Sequence, residues 1–303
     1  MIYVRIPATS ANMGPGFDSM GIAIGLYNTL RISETESGLA IYNNSDDFIP
    51  DNERNMVYRA ICRVFDETGY KKKGLKIIQN SDVPITRGLG SSSACIIGGM
   101  LAANVISGRK LSYKDILDLA VETEGHPDNV TPALFGGFCV AAVENGHTVF
   151  TSNKITSGLK MAVIIPDFFL STKTSRVSLP ENVTLKNASY NISRAALLTS
   201  MLISGKTDGL RVAACDKIHQ DVRKTNIPHY DEIIKKAYEF GAAAAYLSGS
   251  GPTVAAILPA DLRGFSYNMN GFLRTLGVKW KCNVFPIDNV GAILRVIEFQ
   301  GVL

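Results

Sequence analysis

The sequence carries no large excess of charge, no closely spaced cysteine pair and no long apolar run, and each absence removes a class of function. Its formal net charge is only +4 over 303 residues. A nucleic-acid surface needs Lys and Arg gathered on one face. Here they are scattered, and the short run Lys71–Lys73 reads as a solvated turn before a strand, so nucleic acid is not an expected partner. Cys62, Cys95, Cys139, Cys215 and Cys282 form no Cys-x-x-Cys pair, and most sit among apolar neighbours, as reduced core residues of an intracellular protein do. The longest apolar stretch, residues 94–106, is broken by Gly98, Gly99 and Asn104 and falls short of the ~20 residues that span a bilayer. Residues 1–8 show no apolar run behind a basic start, so no signal peptide is apparent. A cytoplasmic protein with no membrane partner is expected.

What is present suits a folded enzyme. Hydrophobic residues make up 46% and charged residues 19%, a composition that excludes disorder. The length predicts one large or two medium domains. In the first half, residues 2–6 and 22–32 read as strands joined by a loop over 8–21. Met56, Val57, Ala60, Ile61, Val64 and Phe65 recur at helical spacing, with Gly69 as the stop. A strand at 75–78 leads to a Gly/Ser loop and an apolar helix. Ser112 and Asp115 form a capping-box-like start for a further helix ending at Gly125, and 137–143 reads as a strand. From about Gly158 the order is strand (161–165), helices (192–203, 230–240), two strands (243–247, 253–258) around the turn 248–252, a helix (262–276) and a strand (279–285). That β-α-β-β-α-β order is the split pattern of ferredoxin-like domains. An α+β protein of two domains, 1–155 and 156–303, meeting at a cleft is expected.

The segment Pro84-Ile85-Thr86-Arg87-Gly88-Leu89-Gly90-Ser91-Ser92-Ser93-Ala94 runs straight into a helix that is apolar on every side. The first amides of such a helix, with the positive end of its dipole, form an anion site. Gly88 and Gly90 let backbone approach a ligand closely, and the serines add hydroxyls for phosphate oxygens or hydrated Mg²⁺. A turn that merely caps a core helix is the plainer alternative. No Gly-x-x-x-x-Gly-Lys-Ser/Thr loop is present, the third glycine of a dinucleotide fingerprint is replaced by serine, and the His-Arg-Asp and Asp-Phe-Gly marks of protein kinases are missing. Two further loops stand at the ends of the chain: Ser10-Ala11-Asn12-Met13-Gly14-Pro15-Gly16-Phe17-Asp18 and Gly249-Ser250-Gly251-Pro252-Thr253.

Together, in this order and over the whole chain, the three loops resemble the motifs of the GHMP kinase superfamily. The segment Glu124-Gly125-His126-Pro127-Asp128-Asn129, with residues 171–179 around Arg176 and residues 219–223 ending in Arg223, resembles the homoserine kinase family within it. The resemblance implies an N-terminal ribosomal-S5-domain-2-like domain that binds ATP and a C-terminal ferredoxin-like domain, in a homodimer. It implies transfer of phosphate from ATP to the hydroxyl of the small-molecule substrate L-homoserine, a step toward threonine. Pro84, Arg87, Gly88, Leu89, Gly90, Ser91, Ser92, Ser93 and Ala94 would hold the triphosphate, and Asn55 and Val57 the adenine. Arg176 and Arg223 suit a carboxylate through forked hydrogen bonds, and Asp18 suits an ammonium group. Asn12, His126, Asn129 and Gly249 would complete the substrate site, with local turn bonding as the plainer role for Asn12, Asp18 and His126. Related kinases carry an aspartate base where Asn129 stands, and an amide cannot take a proton at neutral pH. The base is therefore unassigned, and Asp128, on a turn beside Asn129, is given no role. The rivals are a GHMP kinase for a mevalonate-type or sugar alcohol, and a non-catalytic ligand-sensing member of the fold.

Mg²⁺ needs one or two oxygen ligands from the protein, and Asp118, Glu122 and Glu124 compete. At ~100° per residue, Ile116, Leu117, Ala120 and Val121 define the buried face, and Glu124 falls on it while Asp118 and Glu122 point away. An acid on an apolar face needs a partner such as a cation; solvent or a nearby Arg is the alternative. Glu124 with Ser92 or Ser93 is the expected metal site, with Glu124, Ser92 and Asn129 nearest the chemistry. On this reading Glu124→Gln abolishes Mg²⁺-dependent turnover and Glu122→Gln does not. Equal loss in the two variants, measured as ADP release, would sink the helix-face assignment.

Overall fold

The computed structural model describes residues 1–45, 48–170, 177 and 179–297. Its first sheet has seven strands: β1 (Ile2–Ala11), β2 (Met20–Thr35), β3 (Leu39–Asn43), β4 (Gly74–Ser81), β5 (Phe138–Glu144), β6 (His147–Asn153) and β11 (Ile293–Val296), in the order β11-β1-β2-β4-β3 with β5 and β6 continuing from the Met20–Ile22 end of β2. Four helices cover it: α1 (Met56–Thr68), α2 (Ser91–Ile106), α3 (Tyr113–Glu124) and α4 (Pro127–Phe135). Helix α2 is the centre of this layer. Ser93 through Ala103 are all buried, between β1 on one side and α1 and α3 on the others. Such packing needs small residues: a Cβ on Gly99 would lie 2.6 Å from the Val57 carbonyl oxygen of α1.

The second sheet holds β7 (Lys160–Pro166), β8 (Ala244–Leu247), β9 (Val254–Leu258) and β10 (Trp280–Pro286) in the order β10-β7-β9-β8, every pair antiparallel. With α5 (Leu185–Ser204), α8 (Tyr230–Glu239) and α9 (Phe265–Leu273) between and beside them, these are the order and pairing of the expected ferredoxin-like split β-α-β. Two short helices, α6 (Leu210–Ala213) and α7 (Gln220–Arg223), fill the α5–α8 connection. Alternation along β7 buries both faces of the sheet. Ala162 and Ile164 meet α8 and α9, while Met161 and Val163 join Ile22, Ile24 and Phe138 of the first sheet and Leu198 of α5 in one shared core.

The chain crosses between the sheets twice, after β6 and again after β10. Strand β11, which lies in the range expected for the second unit, pairs instead with β1. The two crossings are fastened to each other: the Asn289 side chain accepts from the Ile155 N–H (2.9 Å) and donates to the Ile155 carbonyl (3.0 Å), as a neighbouring strand would. Among the described residues no helix is long and apolar enough to cross a membrane.

The expected loop over 8–21 begins later than expected, because β1 continues through Thr9, Ser10 and Ala11. All three are fully buried, and the two polar side chains are bonded: Thr9 to Asn129, Ser10 to Ser248 and Tyr246. Strands β3 and β6 escaped the sequence reading because they are sheet edges with mixed exposure. Helix α4 escaped it because Pro127 and Pro132 read as breakers; Pro127 stands at the first helical position, where its missing N–H has no helical partner to lose.

Asp118 of α3, rejected above as a metal ligand, ties its helix to β6. It accepts from Lys114 Nζ (2.6 Å), the Thr148 N–H (2.8 Å) and the His147 ring (3.2 Å). Burial works to raise its pKa, but these bonds outweigh burial and hold the carboxyl at about 2, against an ordinary 3.8. A depressed folded pKa means stability that is complete above about pH 4 and lost as the pH falls toward 2. Asp118→Asn is therefore expected to cost about 1 kcal/mol at pH 7. In urea melts that difference should shrink as the pH falls below about 4 and disappear only once it has fallen through about 2.

Candidate active site

The Gly/Ser loop closes on the start of α2. Gly90 is the N-cap, at φ 70° and with no side-chain cap, and the first helical bond runs from the Ala94 N–H to the Gly90 carbonyl. The amides of Ser91, Ser92 and Ser93 therefore stand ahead of the helical ladder, at the positive end of a buried helix. The loop is pinned along its length. Thr9 N–H donates to the Leu89 carbonyl (3.1 Å), Thr253 N–H to the Arg87 carbonyl (3.3 Å) and Ser248 Oγ to the Gly88 carbonyl (2.6 Å). A cavity of about 340 Å³ opens over it, lined by the loop, the 12–18 segment, the end of α3, the start of α4, Arg223 and Gly249.

Glu124 stands beside that helix start. Ser92 Oγ donates to Glu124 Oε2 (2.6 Å) and Ser93 Oγ to Glu124 Oε1 (2.8 Å). Its rivals are elsewhere: Glu122 is exposed and pairs with Arg63 at 2.9 Å, and Asp118 holds β6. The spacing of α3 thus sorts the three acids as expected. A carboxylate and two hydroxyls are hard oxygen donors, which is the chemistry Mg²⁺ selects.

Three turns of chain bring the rest together. His126 is the N-cap of α4, but its ring caps nothing; Nδ1 lies 2.6 Å from Asp128 Oδ1. Burial works to lower the His126 pKa, yet the bond and charge of Asp128, with Glu124 and Asp18 beyond, raise it overall. Ligand-type atoms of Asp18, His126 and Asp128 all lie within 4.8 Å of one another, an acidic corner suited to an ammonium group. Asn129 Oδ1 accepts from Thr9 Oγ1 (2.7 Å). Across the cavity, the Gly249 carbonyl accepts from both Asn12 Nδ2 (2.9 Å) and Arg223 Nη1 (3.1 Å). Asn12, at φ 64°, also accepts the Asp18 N–H through its side-chain oxygen (3.0 Å). It therefore shapes the loop that carries Asp18 and ties that loop to the 248–252 turn.

Models of the "GHMP kinases N terminal domain" and "GHMP kinases C terminal" families match residues 55–137 and 200–266. A homoserine kinase of Clostridium botulinum is 47% identical over 97% of this chain and 98% of its own length. The chain belongs to the GHMP kinases, in the homoserine kinase family. The homoserine kinase of Clostridium beijerinckii is similar to the same degree, 47% over 97% of this chain and 98% of its own. Among solved structures, a homoserine kinase from Cytophaga hutchinsonii superposes with a TM-score of 0.86 at 28% identity, covering 97% of each chain. A Methanococcus jannaschii mevalonate kinase, at 18% identity and TM-score 0.67 over 95% of this chain and 98% of its own, shares the fold.

Five sequence-based assignments change. Ala94, assigned to the triphosphate, is fully buried and spends its N–H on the Gly90 carbonyl. Val57 is fully buried in the core of the first layer, so its side chain is not offered to adenine. Asn55 lines the cavity, but its side chain is the cap of α1, accepting from the Val57 and Tyr58 amides and donating to the Pro50 carbonyl. Arg87 turns to protein: Nε donates to the Pro166 carbonyl (3.2 Å) and Nη1 to the Ile85 carbonyl (2.8 Å), which moors the loop to β7. Asp128, given no role on sequence, lines the same cavity as Asn129 and holds His126 from the first turn of α4. Arg176 lies outside the described residues. The sequence reading missed the apolar end of the cavity, where Phe48, Ile49, Pro50 and Met56 meet Gln79 and Cys95. Phe48, Ile49 and Pro50 come from an unpatterned stretch before α1, and Met56, placed by its spacing with the apolar residues of that helix, is instead left exposed at its start.

Gly90 concentrates the demands of the loop. A Cβ there would lie 1.9 Å from Thr9 Oγ1 and 3.1 Å from Asn129 Oδ1, on a backbone that costs an L side chain ~1–2 kcal/mol even in open space. Gly90→Ala is expected to raise KM for ATP at least about tenfold and to lower Tm. An unchanged ATP KM in steady-state kinetics would show that the loop does not hold the nucleotide.

Proposed function

We propose that this chain transfers the γ-phosphoryl group of ATP to the side-chain hydroxyl of L-homoserine, giving O-phospho-L-homoserine and ADP. The observation that carries the reading is a convergence. The open start of α2, Ser92 with Glu124, and Asp18 and Arg223 all border one cavity, and Ser93 lies buried behind Glu124.

Phosphoryl transfer asks a protein for positioning and charge neutralisation more than for covalent chemistry. The amides ahead of the α2 ladder receive the triphosphate, and the loop is pinned at Thr9, Ser248 and Thr253, so these donors need little reorganisation. Glu124, Ser92 and Ser93 would hold Mg²⁺, which when bound supplies positive charge to the phosphate oxygens. The apolar end near Phe48, Pro50 and Met56 receives the adenine. Asp18, beside His126, meets the substrate ammonium group, and Arg223 meets its carboxylate, with Arg176 as a second arginine for that group. His126 and Asn129 orient the hydroxyl, and Asn12 and Gly249 hold the loops that surround it. Asn129 is no base: its oxygen already accepts from Thr9, and an amide takes no proton at neutral pH. In a loose transition state the hydroxyl releases its proton late, and the incoming phosphoryl oxygens accept it.

We place the protein in the cytoplasm, a reading that its five free cysteines support, in threonine synthesis and, by the family resemblance, as a homodimer. A coupled assay of ADP release with homoserine, mevalonate and galactose tests the acceptor. Homoserine alone is expected to turn over, and turnover of mevalonate without homoserine would overturn the reading. Asp18→Asn should raise KM for homoserine by about tenfold while leaving KM for ATP within about twofold.

A further inference from the structure

His219 is a fully buried imidazole with no part in the chemistry above, yet one ring nitrogen meets Arg223, which lines the cavity, and the other meets the loop that carries Asp18. Nε2 lies 2.8 Å from the Gly14 carbonyl oxygen and Nδ1 3.3 Å from Arg223 Nη1. A carbonyl only accepts and a guanidinium only donates. The two contacts together therefore fix one form of the ring, neutral with the proton on Nε2. Burial, with the positive charge of Arg223, also favours the neutral form, against the opposing charge of Asp216.

The ring has little freedom to adopt another pose. Its backbone is held by Asp216, whose carboxylate accepts from the amides of Ile218, His219 and Gln220 and from Asn191 Nδ2 (2.6 Å). Phe17 packs on the His219 ring with centroids 5.3 Å apart, and the Arg223 guanidinium stands over the same Phe17 ring at 5.3 Å. Gly14, Phe17 and Asp18 belong to one loop, and Arg223 to a helix in the other half of the molecule. His219 joins them.

We propose that His219 is a positioning residue for α-amino-acid recognition: its Nε2–H holds the loop that carries Asp18 while its Nδ1 lone pair aims Arg223. The ammonium-binding and carboxylate-binding groups are thereby set at one fixed separation. This rests on the assignment of Arg223 to the substrate carboxylate.

The test uses homoserine and 3-amino-1-propanol, the same molecule without its carboxylate, as alternative acceptors. In H219Q the side-chain amide nitrogen can still reach Gly14, but the acceptor for Arg223 is lost. H219N keeps an acceptor near the Nδ1 position and loses the Gly14 donor. H219Q is expected to raise KM for homoserine about tenfold, with KM for ATP within about twofold and little change for 3-amino-1-propanol. H219N should recover most of the preference for homoserine over the amino alcohol. In an R223A background, H219Q should add less than about twofold, because nothing remains to be aimed. Equal losses with both acceptors, equal losses in H219Q and H219N, or a further tenfold loss on R223A would each overturn the proposal. H219F, which lacks both polar groups, supplies the same ratio if H219Q does not fold. R223A alone tests the underlying assignment: an unchanged homoserine KM in that variant would remove Arg223 from the carboxylate site, and the role of His219 with it.

Discussion

A helix buried on every side can satisfy its first amides only where it begins. Helix α2 is such a helix, and the placement of everything else around the cavity follows from where its start emerges. Gly90 turns the chain there without a side-chain cap, so the positive end of the helix is left for an anion. The serines that follow could not remain in an apolar layer unpaired, and Glu124 meets two of them. The same carboxylate would be costly on the inward face of α3 without them. Each group makes the other tolerable, and the pair lands where triphosphate oxygens and a hard cation are to be held.

The cavity also depends on close agreement between the two sheets. The Gly249 carbonyl, on the turn between β8 and β9, receives Asn12 from the first sheet's loop and Arg223 from α7. Ser248 on the same turn donates to Gly88 of the phosphate loop and faces Ser10 of β1. These are short polar contacts between segments more than two hundred residues apart in sequence for Asn12–Gly249 and Ser10–Ser248. In a buried setting such networks define one arrangement well when every member is bonded. The floor of the site is thus assembled from backbone carbonyls and small hydroxyls, and the charged side chains stand on it.

Much of this was legible in the sequence because it obeys periodicities. The faces of α3 separated Glu124 from Asp118 and Glu122 by angle alone, and the strand and helix order of the second half gave its split β-α-β layout. What stayed illegible depends on partners far along the chain. That Arg87 moors to Pro166, that Asn55 is consumed as a helix cap and that Asp128 holds His126 are facts of tertiary placement. The apolar end of the cavity drew on a stretch before α1 with no pattern to read. Strand β11 is short and pairs with the opposite end of the chain, so no local signal marked its sheet.

The second sheet is, topologically, an insertion into the first, with its two covalent connections laced together by Asn289 on Ile155. A single tether would let one half swing and twist against the other. Two tethers bonded side by side remove the twist, and the shared core of Ile22, Ile24, Phe138, Met161 and Val163 resists the swing. The halves of this kinase therefore behave as one rigid frame. Admission of the nucleotide and of the amino acid is thereby left to side chains and loops at the rim of the cavity.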